Sequence, residues 1–143
     1  MIVYLDASAL VKRYIEDAGT TEVNALITEA NYHVTNLISR AEVSAAIMRA
    51  SRMDILGRED ALVALRRFRS EWESLQRLPV TEATVEEADN LVGLYDLRGY
   101  DAVHLAAAII WQEAIGEAIQ FATFDRKLRD AAQQVELMTW PEK

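Results

Sequence analysis

The chain has no cysteine in 143 residues. That excludes disulfides, zinc–thiolate sites and a cysteine nucleophile, and it fits a reducing compartment. Proline is nearly absent: Pro79 and Pro141 are the two present, and both stand at edges of predicted elements. There is no internal repeat, no low-complexity segment and no linker. No glycine-rich phosphate loop occurs, so nucleoside triphosphate binding is not indicated. The two histidines, His33 and His104, show no Ser–His–Asp spacing, which leaves acyl transfer unsupported. The longest apolar stretch, Leu105 to Trp111, is too short to span a bilayer. The first predicted strand begins at Ile2, which leaves no room for a signal peptide. These features predict a soluble cytoplasmic protein without membrane attachment. Positive charge is scarce as well. A net charge of −8 argues against nucleic-acid binding through a broad basic surface. That argument weakens if acidic side chains gather around cations, because those cations then set the local field.

What is present suits one globular domain over residues 1–143, with 51% hydrophobic residues to build a core. Ile2–Leu5 is short, apolar and β-branched, which predicts a buried strand. Further strands are predicted at 32–35, 119–123 and 135–140, with a short extended piece at 78–80. Helices are predicted at 8–15, 22–30, 39–53, 58–77, 84–97, 101–115 and 126–133. In the 58–77 helix, Ala61, Leu65, Phe68, Trp72 and Leu75 recur at helical spacing opposite charged residues. Thr84 and Glu87 fit a capping box, and Gly99 is placed at a left-handed helix end. The 101–115 helix is apolar on almost every face and belongs in the middle of the domain. Strands alternating with helices predict an α/β fold with a mainly parallel sheet covered on both faces. Lys12-Arg13 and the trio Arg66, Arg67 and Arg69 form local basic clusters, read as solvated helix faces.

Four acidic residues stand where strands end or helices begin: Asp6, Glu42, Asp101 and Asp125. In parallel α/β sheets, ligands bind beyond the carboxyl ends of the strands. Asp6 and Asp125 are predicted at those ends, and the helices opened by Glu42 and Asp101 can start near the same edge. Carboxylates held close together raise each other's pKa unless cations balance them, and hard divalent metals take oxygen ligands. Each acid also has a plain alternative. Asp101 and Asp125 suit helix N-caps, Ser39-Arg40-Ala41-Glu42 matches a capping box, and Asp6 can cap the helix near Ser8. Asp6 nevertheless follows an apolar strand, where an unpaired buried charge is costly. Ser8 and Thr123 offer hydroxyls near the proposed pocket, with local backbone bonding as their alternative. His104, one helical turn after Asp101, is read as packed and hydrogen-bonded rather than as a ligand.

Asp6-Ala7-Ser8, the Ser39-to-Glu42 segment, the run from Arg98 to Ala106 and Thr123-Phe124-Asp125-Arg126-Lys127-Leu128 together resemble the four acidic motifs of PIN-domain ribonucleases. More narrowly the chain resembles VapC-type toxins of toxin–antitoxin pairs. The resemblance covers nearly the whole chain in order. It implies an α/β/α sandwich and Mg²⁺- or Mn²⁺-dependent endonucleolytic cleavage of RNA by metal-activated water. It implies that Asp6, Glu42, Asp101 and Asp125 bind metal and that Thr123, or Ser8, supplies an accessory hydroxyl. It further implies a homodimer and a cognate antitoxin that blocks the site. The chain departs from many relatives at Phe124, which is bulky where they carry a small or acidic residue; it either narrows the pocket or points into the core. Arg98 is assigned either to a substrate phosphate or to an ion pair with a nearby acid. The apolar stripe of the 58–77 helix is assigned to the antitoxin groove. Two other classes stand beside this: a catalytically inactive RNA- or partner-binding module, and an aspartate-based phosphotransfer domain. The latter needs a lysine or second aspartate beside Asp6, where Ala7 and Ser8 stand instead.

Overall fold

A computed structural model describes residues 1–142. Strands β1 (Ile2–Leu5), β2 (Tyr32–Asn36), β3 (Gln76–Leu78), β4 (Gln120–Ala122) and β5 (Met138–Trp140) form one sheet in the order β3-β2-β1-β4-β5. All four pairings are parallel. Parallel neighbours need long crossovers, and helices supply them. Helix α1 (Ala7–Leu10), a 3₁₀ turn over Val11–Arg13 and α2 (Thr20–Glu29) join β1 to β2. Helices α3 (Ser39–Arg52) and α4 (Arg58–Trp72) lead to β3, α5 (Glu82–Leu94) and α6 (Gly99–Ile115) to β4, and α7 (Arg126–Gln134) to β5.

Successive side chains of a strand point to opposite faces, and β1 uses both. Val3 and Leu5 enter a core built with α1, α3 and α4, while Tyr4 enters a second core built with α5, α6 and α7. A strand covered on both sides has no polar face, which is why Ile2–Leu5 reads as an unbroken apolar run. The result is the α/β/α sandwich with a parallel central sheet that the sequence predicts. The strand order reverses direction between β1 and β4, so the carboxyl ends of these two strands mark the switch point of the sheet.

Several boundaries differ from expectation. The first helix is shorter than 8–15 and begins at Ala7 under an Asp6 cap. Helix α4 stops at Trp72, and Gln76–Leu78 form the edge strand, so the extended piece lies before Pro79 rather than at 78–80. Helix α5 is capped at Thr81, whose hydroxyl accepts from the Thr84 backbone while Thr84 accepts from the Thr81 backbone; Thr84 is the inner member of the box, and Glu87 takes no part in it. Gly99 opens α6 instead of closing α5, because Tyr95 already leaves the helix in extended geometry. Only the first half of α6 is central: Ala102 and His104 to Ala108 are buried, but Glu113 to Ile115 are exposed. Gly116 ends this helix at φ 69°, in the left-handed region that favours glycine.

The apolar stripe of α4 is not an open groove. Phe68 and Trp72 are 0% and 2% exposed, and Phe68 meets Tyr14 and Trp72 edge-on at 5.0 and 5.6 Å. These rings pack on the sheet, so their assignment to an antitoxin groove is corrected: they are core. Phe68→Ala is therefore expected to destabilise the fold by about 3–5 kcal/mol. Urea denaturation checks this, and a loss below about 1 kcal/mol would show that the ring carries little packing.

Candidate active site

Asp6 leaves β1 and caps α1. Its Oδ1 accepts from the Ala9 N–H at 2.9 Å and the Ser8 hydroxyl at 2.8 Å, and its Oδ2 accepts from the Thr123 hydroxyl at 2.6 Å. The carboxylate is nearly sealed from water, with 3% of the residue exposed. Burial raises its pKa; the neighbouring His104 and the hydrogen bonds from Thr123, Ala9 and Ser8 oppose that rise without cancelling it. Cap and candidate ligand are thus the same group.

Thr123 follows β4 and links two of the acids. While donating to Asp6, its hydroxyl accepts the Asp125 N–H at 3.0 Å, and Arg129 donates to its carbonyl at 3.1 Å. Asp125 caps α7 through the Leu128 N–H at 3.0 Å and turns Oδ2 toward Arg98 Nη2 at 3.5 Å. Phe124 points away from the pocket. Its ring meets Trp140 edge-on, and the Lys12 ammonium lies 4.3 Å from its centroid. Its backbone N–H donates to Ser8 Oγ at 2.9 Å, which turns that hydroxyl toward Asp6.

Asp101 is the third residue of α6 rather than its cap, and accepts from Arg98 Nε at 2.9 Å. Arg98 therefore bridges Asp101 and Asp125. Its hydrogen bond to Asp101 and the charges of Asp101, Asp125 and Glu42 hold it firmly cationic. Glu42 lies in the first turn of α3, and the capping-box alternative does not hold. Ile38 caps that helix without a side-chain bond, Ser39 is 2.6 Å from the Thr35 hydroxyl, and Glu42 Oε1 is 2.6 Å from His104 Nε2. Thr35 also donates to the Leu5 carbonyl at 2.7 Å, so one buried hydroxyl ties the ends of β1 and β2 to the start of α3. His104 Nδ1 in turn lies 2.7 Å from the Tyr4 hydroxyl. Burial, with the charges of Asp6 and Glu42, keeps that phenol well above its ordinary range.

The four acids thus come to one edge of the sheet from four separate segments. Asp6 and Asp125 share Thr123, Asp101 and Asp125 share Arg98, and Glu42 adds its charge to the Arg98 side. As the side chains stand, no three carboxylate or imidazole groups among the described residues are close enough to hold an ion. The hydrogen bonds say why: two acids turn to Arg98, one to His104, and Asp6 to its own cap. The donor chemistry itself is that of a hard divalent cation, since it consists of carboxylate and hydroxyl oxygens. A cleft of about 380 Å³ opens beside it, lined by Asp96, Leu97, Arg98, Asp101, Asp125 and Lys127. Lys127 pairs with Asp96 at 2.8 Å, which places a second cation at the mouth. Tyr4, Arg129 and Thr35 were not singled out in the sequence. Beyond the acids and hydroxyls, the sequence pointed to two members of this network: Arg98, whose ion-pair assignment the structure shows, and His104, one turn after Asp101.

Residues 3–134 match the family model described as the PIN domain. Ribonuclease VapC45 of Mycobacterium tuberculosis (strain CDC 1551 / Oshkosh) is 31% identical over 132 residues, covering 92% of this chain and 89% of that protein. Among solved structures, FitAcB from Neisseria gonorrhoeae superposes with a TM-score of 0.69 at 16% identity, over 99% of this chain and 98% of the other. A toxin–antitoxin complex from Klebsiella pneumoniae gives 0.62 at 18% identity, over 87% and 88%. At such identities the structural likeness is one of fold.

The buried Asp6 makes stability depend on pH. Between the ordinary value of 3.8 and its raised folded value, the native state keeps a proton that the unfolded chain has released. The contribution is full below 3.8 and is lost as pH rises through the folded value. Asp6→Asn is expected to flatten that segment of the stability curve, as read by urea denaturation at stepped pH. An unchanged slope would assign the dependence to other groups.

Proposed function

This chain belongs to the PIN-domain family, and from that premise we propose that it is a divalent-metal-dependent endoribonuclease acting as the toxin of a toxin–antitoxin pair. The observation that carries the proposal is the convergence of Asp6, Glu42, Asp101 and Asp125 on the switch point between β1 and β4, tied together by Thr123, Arg98 and His104. The relatives named Ribonuclease VapC support the activity, and the toxin–antitoxin complex among the fold's neighbours supports the partner. An RNA substrate, a cognate antitoxin and a second copy of the chain are the proposed partners.

Asp6 and Asp101 would be direct ligands of Mg²⁺ or Mn²⁺, with Glu42 and Asp125 completing the set directly or through water. When bound, the ion would supply Lewis acidity, lowering the pKa of water and offsetting charge on the phosphoryl oxygens. Thr123 and Ser8 hold the Asp6 carboxylate in a single orientation by donating to opposite oxygens. Preorganised ligands of this kind need no rearrangement during reaction. Arg98 is 81% exposed, so it can leave Asp101 and Asp125 for a substrate phosphate at little cost. Together with Lys127 it gives a strongly acidic protein a local place for a polyanion. No residue of the cluster is required as a covalent nucleophile.

Asp6→Asn and Asp101→Asn are expected to reduce Mg²⁺-dependent cleavage of total RNA to background while circular dichroism stays that of a folded protein. Chelation of the unaltered protein with EDTA is expected to do the same. Full cleavage by either variant, or cleavage indifferent to EDTA, would reject the assignment. Arg98→Ala is expected to raise KM for RNA more than it lowers kcat, as steady-state cleavage of a labelled oligonucleotide would show.

A further inference from the structure

Two polar side chains beside the acidic cluster are shut off from solvent. His104 is 1% exposed and Tyr4 0%. With Glu42 they form a line: the Tyr4 hydroxyl at 2.7 Å from His104 Nδ1, and His104 Nε2 at 2.6 Å from Glu42 Oε1. Both rings are fixed by packing. Tyr4 stacks on Phe121 with centroids 5.4 Å apart and meets the imidazole edge-on at 5.9 Å, in the buried first half of α6. A buried hydrogen-bonding atom that loses its partner is costly, so the geometry of the line constrains the protons along it.

The imidazole is the one hydrogen-bond partner of the Tyr4 hydroxyl among the described residues. A phenol carries its proton at neutral pH and has a single one to give. For a neutral ring, one arrangement satisfies both neighbours: Nδ1 accepts from the phenol and Nε2 carries the proton toward the carboxylate. That N–H faces Glu42. A glutamate held at one oxygen by a fixed donor has lost its rotamer freedom before any ligand arrives. Its second oxygen, Oε2, carries no hydrogen bond among the described residues.

We propose that His104 is a positioning residue. Its Nε2–H, set in that tautomer by Tyr4, holds Glu42 so that the free oxygen is presented to a divalent cation in the cluster of Asp6 and Asp101. This rests on the metal-binding function proposed above. Partners of metal ligands commonly act this way, orienting a first ligand through a hydrogen bond to its other atom. The bland alternative is a buried histidine that contributes packing alone.

The test uses the full chain and Mn²⁺ alone as probe, with free Mn²⁺ read by electron paramagnetic resonance. His104→Leu keeps an apolar side chain in the cavity and removes the donor. His104→Gln restores an N–H near the position of Nε2. His104→Leu is expected to weaken Mn²⁺ binding by about ten- to a hundredfold, and His104→Gln to stay close to the unaltered protein. A folded His104→Leu variant with unaltered Mn²⁺ affinity would overturn the proposal, and equal loss in both variants would assign His104 to packing. Nitrogen NMR of the ¹⁵N-labelled imidazole in the unaltered protein supplies a measurement that needs no variant. A proton on Nε2 and a bare Nδ1 are expected, and a ring protonated at Nδ1 would overturn the proposal. If the unaltered protein takes up no Mn²⁺, the metal-binding function fails by itself, and the imidazole spectrum still decides the tautomer.

Discussion

A carboxylate buried at the end of an apolar strand is the constraint from which the site follows. Asp6 cannot be hydrated where it stands, and an unpaired charge there would be costly. Its three donors come from α1 and from the segment after β4, so satisfying it fastens the first strand to a strand more than a hundred residues later. Thr123 serves twice, giving its proton to Asp6 and receiving that of the Asp125 backbone. The geometry of one cap therefore sets the geometry of the next.

Around that fixed point the other acids meet exposed or concealed partners. Arg98 is a surface side chain with two acidic partners, an arrangement worth little in stability because water competes for both ends. His104 is the opposite case: buried, singly oriented and impossible to hydrate. One partner can be displaced easily and the other cannot. Such a division suits a site in which Asp101 and Asp125 exchange partners while Asp6 and Glu42 stay in place.

Much of this was legible in the sequence. A charge closing the unbroken apolar run Ile2–Leu5 marked Asp6, and the alternation of helices and strands gave the parallel sheet whose carboxyl edge gathers the acids. Two caps, Asp6 and Asp125, were visible as caps and each is also bonded into the acidic cluster, because a carboxylate has two oxygens. Local pattern failed where a residue's partner is distant. Tyr4 looks like any strand aromatic, and its histidine lies 100 positions away. Strand β3 was hidden because Gln76 and Arg77 lack apolar character, while Leu75 prolonged the helical spacing of α4 past its true end. Phe68 and Trp72 show the converse error, since an amphipathic stripe does not say what covers it.

Both margins of the sheet are three-residue strands, β3 and β5. So short a ladder exposes few amides for a foreign strand to copy, and on β3 such an intruder would have to bury Arg77 and Gln76. Growth from molecule to molecule by backbone pairing, the first step toward fibrous aggregation, is therefore poorly templated.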